Sequence, residues 1–125
     1  MNLVLDFESE VPIYLQLRNE IVKAIALNQL EEGYSLPSVR SLADDIGINM
    51  HTVNKAYNIL KSEGYITLDR RHGAFISKKA VSEDDNTRLN LEFEGIIISC
   101  LAKGMDKEEI EKMVQSIYLK LKGEI

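Results

Sequence analysis

The sequence predicts a mainly α fold with a small β-wing (α+β class), and three observations predict it. Residues 37–64, PSVRSLADDIGINMHTVNKAYNILKSEG, carry apolar positions at helical spacing on both sides of a glycine. Directly after them the helical period gives way to two short β-prone runs around a glycine-bearing loop. Two further apolar stripes of helical period then follow an acidic stretch.

Taken in order, residues 1–11 read as an extended lead-in with a short strand at Leu3–Leu5. Pro12 suits the first turn of a helix, where a missing amide hydrogen costs nothing. Ile13, Leu17, Ile21, Ala24 and Ile25 recur at helical spacing, which predicts a helix over residues 12–29 that Glu31-Glu32-Gly33 ends. Leu36-Pro37 leads out of it, proline disfavouring helix in the residue before it.

Ser38 is a fitting N-cap, and Val39, Leu42, Ala43 and Ile46 form a short stripe that Gly47 stops. Asn49 caps the next helix, in which Val53, Ala56, Tyr57 and Leu60 make one apolar face. The opposite face holds Met50, His51, Asn54, Lys55 and Asn58: polar, donor-rich and free of carboxylates. Two short helices across a glycine-bearing turn are the pattern of a helix-turn-helix, whose second helix is sized for a major groove. Tyr65-Ile66-Thr67-Leu68 and Ala74-Phe75-Ile76-Ser77 then flank Asp69-Arg70-Arg71-His72-Gly73, a hairpin with a basic tip. A helix-turn-helix followed by such a hairpin is a winged helix, its wing placed for phosphates or a minor groove.

Residues 82–86, Ser-Glu-Asp-Asp-Asn, read as a polar link, which sets a winged helix-turn-helix domain over 1–79 and a helical tail over 80–125. In the tail, Leu89, Phe93, Ile96, Ile97, Cys100 and Leu101 form one stripe that Gly104 stops. Asp106 and Glu109 stand in capping-box spacing before Ile110, Met113, Val114, Ile117 and Leu121. The turn Gly104-Met105 is short enough to predict a two-helix antiparallel hairpin. So small a hairpin cannot bury a core of its own, and Leu91 and Ile98 add a second apolar face. Those two stripes are therefore the expected interface of a homodimer built as a four-helix arrangement, with folding back on the winged helix as the alternative.

Composition bounds the function classes. In 125 residues, 45% apolar and 28% charged, no apolar run is long enough to span a bilayer, so no membrane role is expected. The acidic start MNLVLDFESE is unlike a secretory leader, and with a single cysteine a cytoplasmic location is the expectation. The net charge of −5 counts against nucleic-acid binding, but residues 50–79 carry +4 and leave −9 for the rest. That asymmetry describes a basic face on an acidic body. No phosphate loop, dinucleotide fingerprint or nucleophile elbow is present, so neither catalytic residues nor cofactors are expected. His51, His72 and Cys100 fall on three separate elements without ligand spacing, so no metal site is expected.

PIYLQLRNEI, LPSVRSLADDIG, TVNKAYNILKSEGYI and HGAFIS, in this order and spacing, resemble the DNA-binding domain of the GntR family of bacterial regulators over residues 10–78. The short tail and the run from Asn49 to Tyr57 resemble its YtrA-type subfamily. The resemblance implies a homodimeric, usually repressing transcription factor on a palindromic operator of double-stranded DNA, in a subfamily that often controls genes of ATP-driven (ABC) transporters. Carried over by motif, Ser38 and Arg40 meet phosphate. His51, Thr52, Asn54 and Lys55 face the major groove, and Arg70, Arg71, His72 and Gly73 form the wing contacts. Two residues depart from the pattern: Met50 stands where relatives carry arginine or proline, and Ala74 where they carry threonine. A winged-helix protein-interaction module and a non-specific architectural DNA-binding module are the rival readings. A small-molecule effector stays open, with room for its pocket only at the dimer interface or between tail and winged helix.

Overall fold

The computed structural model describes residues 2–123, and the chain divides into two units, Met1–Lys79 and Ala80–Ile125. The first is built on three helices, α1 (Ile13–Ala26), α2 (Val39–Ile46) and α3 (Met50–Ser62), and a hairpin of β1 (Ile66–Asp69) and β2 (Gly73–Ile76). Its core is one apolar cluster in which Leu17, Ile21, Leu42, Val53, Tyr57, Leu60, Ile66 and Ile76 are all buried. Helix α3 is central, packing on α1, on α2 and on β1. The predicted stripes of α2 and α3 are the buried faces, because only that face repeats at the helical period.

Capping sets the helix ends. Ser38 Oγ accepts from the Ser41 amide at 3.1 Å, and Asn49 Oδ1 accepts from the His51 amide at 2.7 Å. Gly47, at φ 71°, closes α2 in the left-handed region where a Cβ would be strained. Helix α1 corrects the expected span of residues 12–29: it stops at Ala26. Asn28 takes φ 60°, the Gln29 amide donates to the Ala24 carbonyl at 2.8 Å, and the Asn28 amide donates to Ile25 at 3.1 Å. This is a Schellman closure with asparagine in the glycine position, and it turns Leu30 into the core.

Leu3–Leu5 forms no strand. The Val4 amide instead donates to Glu20 Oε1 at 3.0 Å and the Asp6 amide to Gln16 Oε1 at 2.7 Å, while Leu3 and Leu5 lean on the core. The acceptors are side chains of α1, so these amides are satisfied without a strand partner. The wing in turn gains a partner: Ser35 bridges Phe75, and the Leu36 amide donates to the Ala74 carbonyl at 2.8 Å. In the hairpin Ile66 pairs with Ile76, Leu68 with Ala74 and Asp69 with Gly73, which sends Ile66, Ala74 and Ile76 inward.

The second unit is α4 (Glu83–Ala102) and α5 (Lys107–Lys122). Residues 82–86 are not a link. Ser82 and Asp85 form a reciprocal capping box, so the acidic run is the first turn of α4, where carboxylates favour the helix dipole. Asp106 and Glu109 do the same for α5. Gly104, at φ 85°, makes the turn, with the Met105 amide on the Cys100 carbonyl at 3.0 Å. No described residue of α4 or α5 is buried, and Ile97, Leu101, Lys107, Ile110 and Glu111 line an open cleft beside the Gly104 turn. Beyond that turn the two helices make little contact with each other, which corrects the expected packing of the tail as a closed antiparallel hairpin: their apolar stripes do not cover one another within one copy.

Candidate nucleic-acid interface

The helix-turn-helix geometry is set from inside. Tyr57 is 2% exposed, and its hydroxyl donates to the Pro37 carbonyl at 2.8 Å, which ties the middle of α3 to the residue preceding the α2 cap. Burial, with a smaller contribution from Tyr34, pushes the Tyr57 hydroxyl well above the usual tyrosine range. On the far side, Arg18 grips Glu63 with a two-pronged pair, Nε to Oε1 at 2.8 Å and Nη2 to Oε2 at 3.2 Å. The same guanidinium lies 5.5 Å from the Tyr65 ring centre, so α1, the end of α3 and the start of β1 share one clamp.

With the buried face of α3 fixed, its outer face follows. His51, Asn54, Lys55 and Asn58 lie at i, i+3, i+4 and i+7, and all four are exposed. Thr52 is half-buried on the shoulder of this row, and Met50 is exposed on the other shoulder. Asn58 continues the row one turn further. Lys55 is not free: its Nζ stands 3.9 Å above the Tyr14 ring centre, so a residue of α1 holds a cation at the edge of the presented face. Tyr14 lies 41 positions from Lys55, and no spacing rule connects them. Ser38 and Arg40 are exposed at the N-terminus of α2, where unpaired amides favour an anion.

The wing supplies the second surface. Arg70, Arg71 and His72 form a three-residue loop between the paired Asp69 and Gly73, and all three side chains are exposed. Gly73 adopts φ 72°, the left-handed step that a three-residue hairpin requires. Ala74 is buried, its methyl in the core, so the position offers nothing to a ligand. Among the described residues no cluster of histidine, cysteine or carboxylate side chains is grouped to hold a metal, and no helix is long and apolar enough to cross a membrane.

A donor-rich helix flanked by a capped helix N-terminus and a basic hairpin defines the class: a winged-helix DNA-binding regulator. Residues 13–76 match the family described as bacterial regulatory proteins, gntR family. The chain belongs to that family; it is a GntR-family DNA-binding transcriptional regulator and not an enzyme. It is 32% identical over 122 residues to the HTH-type transcriptional repressor YtrA of Bacillus subtilis (strain 168), covering 95% of this chain and 94% of that one. YtrA from Sulfolobus acidocaldarius, a GntR-family transcription factor, matches with a TM-score of 0.69 and 36% identity, over 80% of this chain and 97% of that one. The structure of AraR(DBD) in complex with operator ORE1 matches with a TM-score of 0.52 and 26% identity, over 62% of this chain and 94% of that one.

Proposed function

We propose that this regulator acts in the cytoplasm as a homodimer that sits on a palindromic operator and represses transcription, with transporter genes the expected targets. The observation that carries the reading is the row His51, Asn54 and Lys55, with Thr52 beside it, presented by α3 without a single carboxylate. An asparagine binds adenine through two hydrogen bonds, and a threonine methyl packs on thymine. Ser38 and Arg40 take phosphates at the α2 N-terminus, and Arg70, Arg71, His72 and Gly73 take the adjoining groove and backbone.

The tail supports the dimer. Two amphipathic helices with no buried residue leave Phe93, Ile96, Ile97, Met113, Val114 and Ile117 each more than a third exposed. Leu91 and Ile98 open a second apolar face on α4, and a helix apolar on two sides needs cover on two sides. A second copy of the same unit supplies that cover in a closed twofold arrangement. The dimer then sets two recognition helices on successive major grooves, about 34–36 Å apart. A small-molecule effector would act by changing that spacing, and a ligand titration that leaves operator affinity unmoved argues against one.

Selection from a pool of random duplexes, followed by sequencing and a salt series, tests the reading. The expected result is an enriched palindrome whose binding falls steeply with salt. Binding without enrichment replaces it with the architectural module. A folded protein that binds no duplex replaces it with the interaction module.

A further inference from the structure

The wing tip carries one acid among its bases, and that acid is placed as a tool rather than as a stray charge. Asp69 Oδ1 accepts from the Arg71 amide at 2.7 Å and from the His72 amide at 3.4 Å. Its other oxygen, Oδ2, lies 3.2 Å from His72 Nδ1. One carboxylate therefore bonds two successive amides of the loop and one ring of the same loop, the arrangement by which an aspartate holds a turn. The bonds from the Arg71 amide and the His72 ring hold its carboxyl below the usual aspartate range. A carboxylate only accepts, so His72 Nδ1 carries the hydrogen and Nε2 is the nitrogen left for a ligand.

Electrostatics alone assigns Asp69 the opposite role. A negative group paired in the hairpin with Gly73, directly below Arg70 and Arg71, opposes the approach of a phosphate. Beyond the Asp69–Gly73 pairing that closes the loop, however, the Asp69 carboxylate is its one hold among the described residues: the side chains of Arg70 and Arg71 are exposed, with no ion pair or hydrogen bond to hold them. We propose that Asp69 is a positioning residue for DNA binding, which holds the Arg70-Arg71-His72 loop in the conformation that meets the duplex. Its negative charge is the lesser effect. This rests on the wing being a DNA contact, and the test separates the two ideas.

The probe is a mixed-sequence 30-base-pair duplex, titrated with the full chain and its variants at one salt concentration. Asp69→Ala removes charge and acceptor together; Asp69→Asn removes the charge and keeps the Oδ1 acceptor for the two amides. The expected result is that Asp69→Ala binds about tenfold more weakly, while Asp69→Asn binds at least as tightly as wild type. Hydrogen exchange at the Arg71 amide should quicken in Asp69→Ala and stay slow in Asp69→Asn, with the melting temperature of both unchanged because the loop lies outside the core. An Asp69→Ala variant that binds as tightly as wild type or tighter overturns the proposal, as does an Asp69→Asn variant as weak as Asp69→Ala. Wild-type protein that fails to bind the duplex overturns the wing's role itself, and this proposal with it.

Discussion

Tyr57→Phe isolates the bond that joins the two helices of the helix-turn-helix. The ring is 2% exposed and keeps its packing in phenylalanine, so neither a cavity nor a transfer term enters. What is lost is the 2.8 Å bond to the Pro37 carbonyl, a neutral partner, with a net value of about 1 kcal/mol. For a domain of this size that is a fall of roughly 4–8 °C in melting temperature. The alkaline limb adds a second readout. Burial raises the Tyr57 pKa in the folded state above the unfolded value of about 10, so the neutral hydroxyl stabilises the fold below that pH. The contribution is lost as pH climbs from the unfolded value towards the folded one, because only the unfolded chain then releases the proton. Thermal melts from pH 7 to 11 should show wild type losing stability above about pH 10, and Tyr57→Phe losing less. A variant that melts with wild type at neutral pH refutes the reasoning, since the bond would then contribute nothing.

Four other outcomes follow from the same geometry. Asn54→Ala should relax selectivity at one base pair of each half-site, at a cost of about 1–3 kcal/mol, read by competition with single-base operator variants. Arg71→Ala should weaken all sequences alike and reduce the slope of log affinity against log salt by about 1, which anisotropy titrations at several salt concentrations measure. If the tail carries the proposed dimer interface, Ile97→Asp should bring a carboxylate into it at more than about 2 kcal/mol per copy and yield monomers by sedimentation, with the melting of the first unit unchanged. Glu63→Gln should leave Arg18 without its charged partner and cost about 1–3 kcal/mol in denaturant unfolding.

The elements fixed by periodicity and caps were legible before any coordinates. Ser38, Gly47, Asn49 and Gly104 mark helix ends by residue type alone, and the stripe Val53, Ala56, Tyr57 and Leu60 sets the outer face of α3 by subtraction. Where the structure departs from these local signals, a partner remote in sequence or a second residue with the same conformational licence decides. Asn28 ends α1 ahead of Gly33 because asparagine also tolerates the left-handed step. Leu3–Leu5 has strand-forming residues, but Glu20 takes the Val4 amide inside the segment and Gln16 the Asp6 amide just after it. Ser82 and Asp85 were read by their charge and polarity rather than as a cap. At the site, the hold of Tyr14 on Lys55 and of Arg18 on Glu63 joins α1 to α3 across more than forty residues, beyond any local rule. Asp69 is marked by sequence as the first residue of the hairpin loop, but its bonds to the Arg71 and His72 amides follow from the folded loop and not from residue type alone.

In the proposed dimer two copies of α3 read two half-sites at once. Titration of the full chain against the selected operator, with the half-sites moved apart one base pair at a time and a single half-site as the reference, decides whether they do. One sharp optimum near a helical turn of separation is expected, with affinity falling towards that of the single half-site when about five base pairs are inserted. Affinity that ignores the spacing, or a single half-site that binds as tightly as the pair, would contradict it.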